Sequence, residues 1–181
     1  MCPKWMRDTK RNSVLDAIFI LNDLVDALVA GTMVFDDYQS RFTRGKFSQP
    51  GIVAVQKMCV SHLILGLNRL CEFWELFHHF VPTELRSEIK ALVSKLQNRD
   101  VKKFRNTVVA HIRDKKLGRI PTQKEIIADL NRISGHPGGF LLWLNNPNDN
   151  AYPKTVVSIV DTLRKKLCEL HGVTADEVFQ R

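Results

Sequence analysis

The sequence predicts an all-α domain, a helical bundle of about five helices with two longer loops. Three observations carry this. Apolar residues recur at spacings of three and four through nearly the whole chain, the repeat of a helix that buries one face. No stretch alternates apolar and polar residues in the manner of a half-buried strand. The 181 residues are 44% hydrophobic and 25% charged, with nine glycines and seven prolines, enough apolar side chains for a core and too few breakers for a low-complexity chain. No internal repeat or linker divides the chain, so residues 1–181 are read as a single domain.

The elements follow in order. Ser13 with Asp16 three residues on has the form of an N-cap, and Val14, Ile18, Leu21, Val25 and Leu28 then mark one face of a first helix, which Gly31 is placed to stop. Residues 32–50 lack a clean period and read as a loop. Within it, Arg41-Phe42-Thr43-Arg44-Gly45-Lys46-Phe47 interleaves basic and aromatic residues, as binders of single-stranded nucleic acid do. The plainer reading is a surface loop whose phenylalanines tuck into the core. The longest helix is predicted from Ile52 to Phe80, about 43 Å at the usual rise, with an apolar stripe of Leu63, Leu67, Leu70, Trp74 and Phe77 and a stop at Pro82.

Thr83 is placed to cap a third helix carrying Leu85, Ile89, Leu92 and Leu96, and Asp100 a fourth carrying Val101, Phe104, Val108 and Ile112. Thr122-x-x-Glu125 is a capping box that opens a short fifth through Ile126, Ile127, Leu130 and Ile133. Residues 134–153 are rich in Gly and Pro and read as the second loop, with Phe140-Leu141-Leu142-Trp143-Leu144 as a plug onto the core. A last long helix is expected from about Lys154 to Leu170, with Gly172 as its stop and Thr174-x-x-Glu177 capping a short tail.

Charge is concentrated. Lys and Arg number 27 against 19 Asp and Glu, a net +8. Ten of the basic residues (Lys95, Arg99, Lys102, Lys103, Arg105, Arg113, Lys115, Lys116, Arg119, Lys124) lie between positions 95 and 124 with only Asp100 and Asp114 against them, so this segment alone accounts for +8. Such a segment is either a solvated helix face or a surface for a phosphate backbone. The four cysteines are widely separated and form no CxxC pair, which suits reduced thiols in a cytoplasmic protein. Lys4, Arg7, Lys10 and Arg11 precede an apolar stretch, but Asp16, Asn22, Asp23 and Asp26 interrupt it, so neither a signal core nor a membrane span is expected.

Several chemistries find no motif. There is no GxGxxG, no P-loop and no HExxH, and His136-Pro137-Gly138-Gly139 lacks the lysine of a phosphate cradle. Cys59-x-x-His62 puts two ligand types on one helical face and His78-His79 stands nearby, but a structural zinc site needs a second recognisable pair. No metal and no cofactor is expected.

One string lies at the centre of the basic segment: Arg105-Asn106-Thr107-Val108-Val109-Ala110-His111. It resembles the signature of the HEPN superfamily, an arginine followed by a polar residue and then, after a spacer of four to six residues, a histidine. The form Arg-Asn-x-x-x-Ala-His is similar to that of its abortive-infection branch. Arg164 and His171 have a related spacing, but Lys165 stands where the polar residue belongs. On a regular helix Arg105 and His111 fall on opposite flanks of the stripe formed by Val101, Val108 and Ile112, about 120° apart, so both reach the edges of a groove over that stripe. Asn106 points further round, toward the polar back.

The resemblance implies a metal-independent endoribonuclease, in a toxin–antitoxin or phage-defence role, whose composite site forms where two motifs meet in a homodimer. Histidine suits proton transfer near neutral pH, and a guanidinium matches the extra negative charge of a pentacoordinate phosphorane. In that scheme Arg105, Asn106 and His111 are catalytic, Lys102, Lys103, Arg113, Lys115 and Lys116 hold RNA, and an antitoxin protein is a further partner. No membrane partner is expected. The alternative is a non-catalytic helical module that binds nucleic acid or protein through the same face, or a plain dimerisation bundle. There His111 would bond a backbone carbonyl, and Arg105 would pair with Asp100 or Asp114.

Overall fold

A computed structural model describes residues 4–99, 101–106, 122–135 and 139–179. Among these there are eight helices and no strand. Five are longer than ten residues: α1 (Lys4–Thr43), α2 (Gln49–Phe77), α3 (Thr83–Asn98), α5 (Gln123–Ser134) and α7 (Val156–His171). The others, α4 (Val101–Phe104), α6 (Phe140–Leu144) and α8 (Ala175–Phe179), are single turns. The all-α bundle predicted from periodicity is the fold observed.

Helices α1 and α2 form an antiparallel pair. Asp23 pairs with Arg69 near one end and Gln39 accepts a 2.9 Å hydrogen bond from Gln56 near the other. Between them Ile18, Leu21, Leu24 and Leu28 are fully buried with Leu63, Ile64, Leu67 and Leu70. α7 closes this core with Val160, Leu163 and Leu167, and α3 adds Ile89, Val93 and Leu96. Residues Arg11–Thr43 and Gln49–Phe80 are each long and apolar enough to cross a bilayer. Their inward faces are spent on this core, while Phe19, Met33, Met58, Leu65 and Leu76 remain exposed.

The first helix differs most from expectation. It is already helical at Lys4, so Ser13 is not its cap, and it passes through Gly31 to Thr43. Gly31 faces α2 so closely that a Cβ there would lie 2.8 Å from Leu63 Cδ2. It is a point of close approach between helices, not a stop. The predicted 32–50 loop shrinks to the turn after Thr43, where Gly45 takes φ +69° and Lys46 N–H bonds back to the Arg41 carbonyl. Ser48 then caps α2, accepting from Gly51 N–H, with Pro50 in the first turn. The basic and aromatic residues of 41–47 are divided between a helix end and this turn, with Arg41 held by Asp37 and Phe47 edge-on to Tyr38.

Other boundaries follow local chemistry. α2 gives way to a 3-10 turn, His78–Phe80, before Pro82. Pro82 occupies the N-cap of α3, so Thr83 is its first residue rather than its cap. The Thr122–Glu125 capping box forms on both sides, and Gly135 ends α5 at φ +81°. The predicted 134–153 loop contains α6, whose Phe140 and Leu144 are buried as the plug predicted. α7 begins two residues later than expected, capped by Thr155 and closed by Gly172 at φ +58°. Thr174 and Glu177 exchange the bonds of a cap at α8. Of the predicted fourth helix, residues 101–106 are described; Asp100, Val108 and Ile112 lie outside the described residues.

A buried polar chain fixes the 145–155 segment to the middle of α1. Asn145 Nδ2 donates to Thr32 Oγ1 at 3.0 Å, Thr32 Oγ1 donates to the Leu28 carbonyl at 2.9 Å, and Asn150 Nδ2 donates to Asn145 Oδ1 at 3.1 Å. Thr155 Oγ1 completes the chain on Asn150 Oδ1. Each buried polar group here has a partner, which is what makes burying it tolerable.

Candidate phosphate-binding site around Arg105

The turn that carries Arg105 is anchored by its apolar side. Val101 and Phe104 are 1% and 2% exposed and seat α4 against α2 and α3, so Lys102 and Lys103 necessarily project outward and are exposed. After Phe104 the backbone widens into π-helical winding at residues 105 and 106, a local form that recurs at functional sites. Arg105 and Asn106 are both half-buried there.

Their side chains meet. Arg105 donates from Nε and Nη2 to Asn106 Oδ1 at 3.1 and 3.0 Å. Asn106 was expected to point toward the polar back of a regular helix; instead its carbonyl takes one edge of the guanidinium. On another edge, Nη1 lies 3.7 Å from Glu72 Oε1 of α2. That same oxygen accepts a 2.6 Å hydrogen bond from Asn68 Nδ2. Arg105 thus meets a carboxylate from 33 positions earlier in the chain; Asp100 and Asp114 lie outside the described residues. The Arg105 side chain keeps 31% of its surface exposed.

Glu72 and Asn68 escaped the sequence reading. The signal that marks them is a buried polar residue, Asn68, within the Leu-rich face of α2, followed by an acid four positions on, where helical neighbours meet. His111, Arg113, Lys115 and Lys116 lie outside the described residues.

The flank of the basic segment is built into the fold. Lys95 Nζ stands 4.8 Å from the centre of the Trp143 ring. Burial, with the Arg99 charge beside it, holds the Lys95 ammonium below its ordinary pKa. Arg99 donates to the Ile133 carbonyl at 2.9 Å, and Arg132 donates to the Arg99 carbonyl at 3.2 Å. These bonds tie the end of α3 to the end of α5, so the described stretches on either side of residues 107–121 are joined.

The remaining ligand-type residues stay apart. Cys59 is buried and its thiol is pushed up by burial, while His62 is exposed. His78 Nδ1 lies 3.0 Å from the Trp74 carbonyl. Among the described residues no three His, Cys, Asp or Glu side chains cluster as a metal site would require. Arg164 is engaged by Asp161 at 2.7 Å and Asn22 at 3.2 Å, at the edge of a shallow cleft between α1 and α7.

No family model matches the sequence, and no curated protein matches it. Among solved structures, the fold is similar to that of an integron cassette protein from the mobile metagenome of V. paracholerae. That likeness has a TM-score of 0.62 at 20% sequence identity and covers 85% of this chain and 95% of the other. At that identity the likeness is one of fold.

Proposed function

We propose that the protein is a metal-independent endoribonuclease of the HEPN type, acting in the cytoplasm in a toxin–antitoxin or phage-defence role. The observation that carries this reading is Arg105. It opens the Arg-Asn-x-x-x-Ala-His string, sits in the one strongly basic segment of the chain, and has a part-exposed side chain whose guanidinium is braced by Asn106. A braced, part-exposed guanidinium is suited to a phosphodiester, which a guanidinium meets with two parallel donors.

In the proposed reaction the 2′-oxygen of one ribose attacks the adjacent phosphorus as its proton passes to a base. The phosphorus–O5′ bond breaks and O5′ takes a proton from an acid. The products are a 2′,3′-cyclic phosphate and a 5′-hydroxyl. His111 supplies the acid–base function, Arg105 stabilises the added charge on the phosphorane, and Asn106 orients Arg105. Lys102, Lys103, Arg113, Lys115 and Lys116 hold the RNA backbone. Two chains contribute to one site in a homodimer, with an antitoxin as a further partner.

The second reading is a non-catalytic helical module that binds nucleic acid or protein through the same face. The contact with Glu72 favours it, since an arginine facing a carboxylate also serves structure alone. Purified protein incubated with total RNA in EDTA, beside Arg105→Ala and His111→Ala, separates the two. The nuclease reading expects cyclic-phosphate ends from the wild type and none from either variant. Equal RNA decay with His111→Ala removes His111 from catalysis. Binding that survives both substitutions without cleavage at any protein excess establishes the module.

A further inference from the structure

Helix α2 is mostly apolar, and a polar side chain buried in it needs a physical reason. Asn68 is 6% exposed and spends an amide hydrogen on Glu72 Oε1 at 2.6 Å. The Glu72 side chain is 55% exposed and on its own would sample many rotamers in water. Asn68, one turn earlier and fixed by its burial, selects the rotamer that carries Oε1 toward α4. That oxygen stands 3.7 Å from Arg105 Nη1, while Asn106 Oδ1 holds Nε and Nη2. The guanidinium is therefore gripped from two helices. Asn106 is the next residue of the chain and moves with Arg105; Glu72 belongs to the core helix and refers the group to the body of the bundle. An ion pair this exposed adds little to stability, so a buried asparagine devoted to aiming it points to placement.

We propose that Glu72, aimed by Asn68, is a positioning residue that fixes the Arg105 guanidinium for a phosphodiester. The substrate in this statement rests on the nuclease reading above; the positioning rests on the geometry of the four side chains. Glu72 does not touch the reacting atoms. Its negative charge opposes an incoming phosphate slightly, so its contribution is to rate and not to affinity.

The test is single-turnover cleavage of a short RNA by wild type, Glu72→Ala and Glu72→Gln, with the mobility of the Arg105 side chain read from its Nε–H NMR resonance. Glu72→Ala is expected to lower kcat by about tenfold or more, as small misplacements of a catalytic group do, with KM unchanged or reduced. Glu72→Gln keeps an oxygen acceptor and is expected to recover most of kcat. The Arg105 resonance is expected to be rigid in wild type and Glu72→Gln and mobile in Glu72→Ala. Unchanged kcat and unchanged Arg105 mobility in Glu72→Ala overturn the proposal. A rise in kcat in either variant also overturns it, since the carboxylate would then be a competitor of the phosphate. Should wild type cleave no RNA, the nuclease reading fails by itself, and the Arg105 resonance still decides whether Glu72 positions the guanidinium.

Discussion

Arg99, at the C-terminal end of α3, donates its Nη1 hydrogen to the carbonyl of Ile133, 34 residues further along on α5. This bond and the return bond from Arg132 to the Arg99 carbonyl hold together the two stretches that flank the centre of the basic segment. A glycine in the left-handed conformation makes room for it. Gly135 has φ +81°, and a Cβ at that position would lie 2.5 Å from Arg99 Nη1.

Gly135→Ala is accordingly expected to destabilise the protein by about 1–2 kcal/mol for the left-handed backbone, with about 1 kcal/mol more if Arg99 loses its carbonyl. Urea unfolding measures the sum. In Arg99→Ala the alanine has nothing to displace, so Gly135→Ala should cost less in that background. Equal costs in both backgrounds would show that the two residues are not coupled.

Gly31→Ala separates a helix stop from a helix contact. At an unhindered site within a helix, alanine is preferred to glycine by about 1 kcal/mol. Here the new methyl would meet the fully buried Leu63 at 2.8 Å, and overpacking of this kind costs about 1–3 kcal/mol. The expected outcome is a lower unfolding midpoint. Gly66→Ala, whose nearest contact is Leu28 at 3.3 Å, is expected to be milder.

Asp161 carries a pH dependence. Burial pushes its carboxyl up, but hydrogen bonds from Lys165 and Arg164, together with their charges, outweigh burial and hold it below its ordinary value. A folded pKa below the unfolded one contributes stability that is present above the unfolded pKa. That contribution is lost as pH falls below about 4, through the folded value. Unfolding midpoints measured from neutral to acid pH should fall more steeply for wild type than for Asp161→Asn.

Cys71 is expected to be a slow thiol. Burial, then the charges of Glu75 and Glu72, push it up to about 11. At pH 8 roughly one molecule in a thousand carries the thiolate, the form that reacts. Timed alkylation with iodoacetamide, read by peptide mass spectrometry, should show Cys71 modified far more slowly than a free cysteine in the same tube. Glu72→Gln removes one of the raising charges and should quicken it.

What could be read along the chain was whatever depends on near neighbours. The Thr122–Glu125 box, the Gly172 stop, the stripe from Leu63 to Phe77 and the plug at Phe140 and Leu144 all follow from side chains within a turn or two of one another. The stretch after Gly31 differs from the expected loop because the same glycine serves a stop and a close contact equally well, and only Leu63 across the interface distinguishes them. Thr32 has the same history. It is tolerated inside a helix because its hydroxyl bonds back to Leu28 and receives Asn145 from 113 positions away.

The candidate site divides along the same line. Residue order alone makes the chain helical, puts its excess positive charge between Lys95 and Lys124, and sets Arg105 beside Asn106 at the centre of that charge. These are properties of order and spacing, which the covalent chain fixes before it folds. That Glu72 faces Arg105 is a matter of packing between helices. A helix brings together neighbours at three and four positions, and Glu72 lies 33 positions from Arg105, beyond the reach of that rule. The packing of α4 on α2 brings Glu72 to Arg105, with Asn68 beneath, because contacts between helices are set by where buried side chains such as Phe104 and Phe73 find room, and that is not written in the spacing of any one segment.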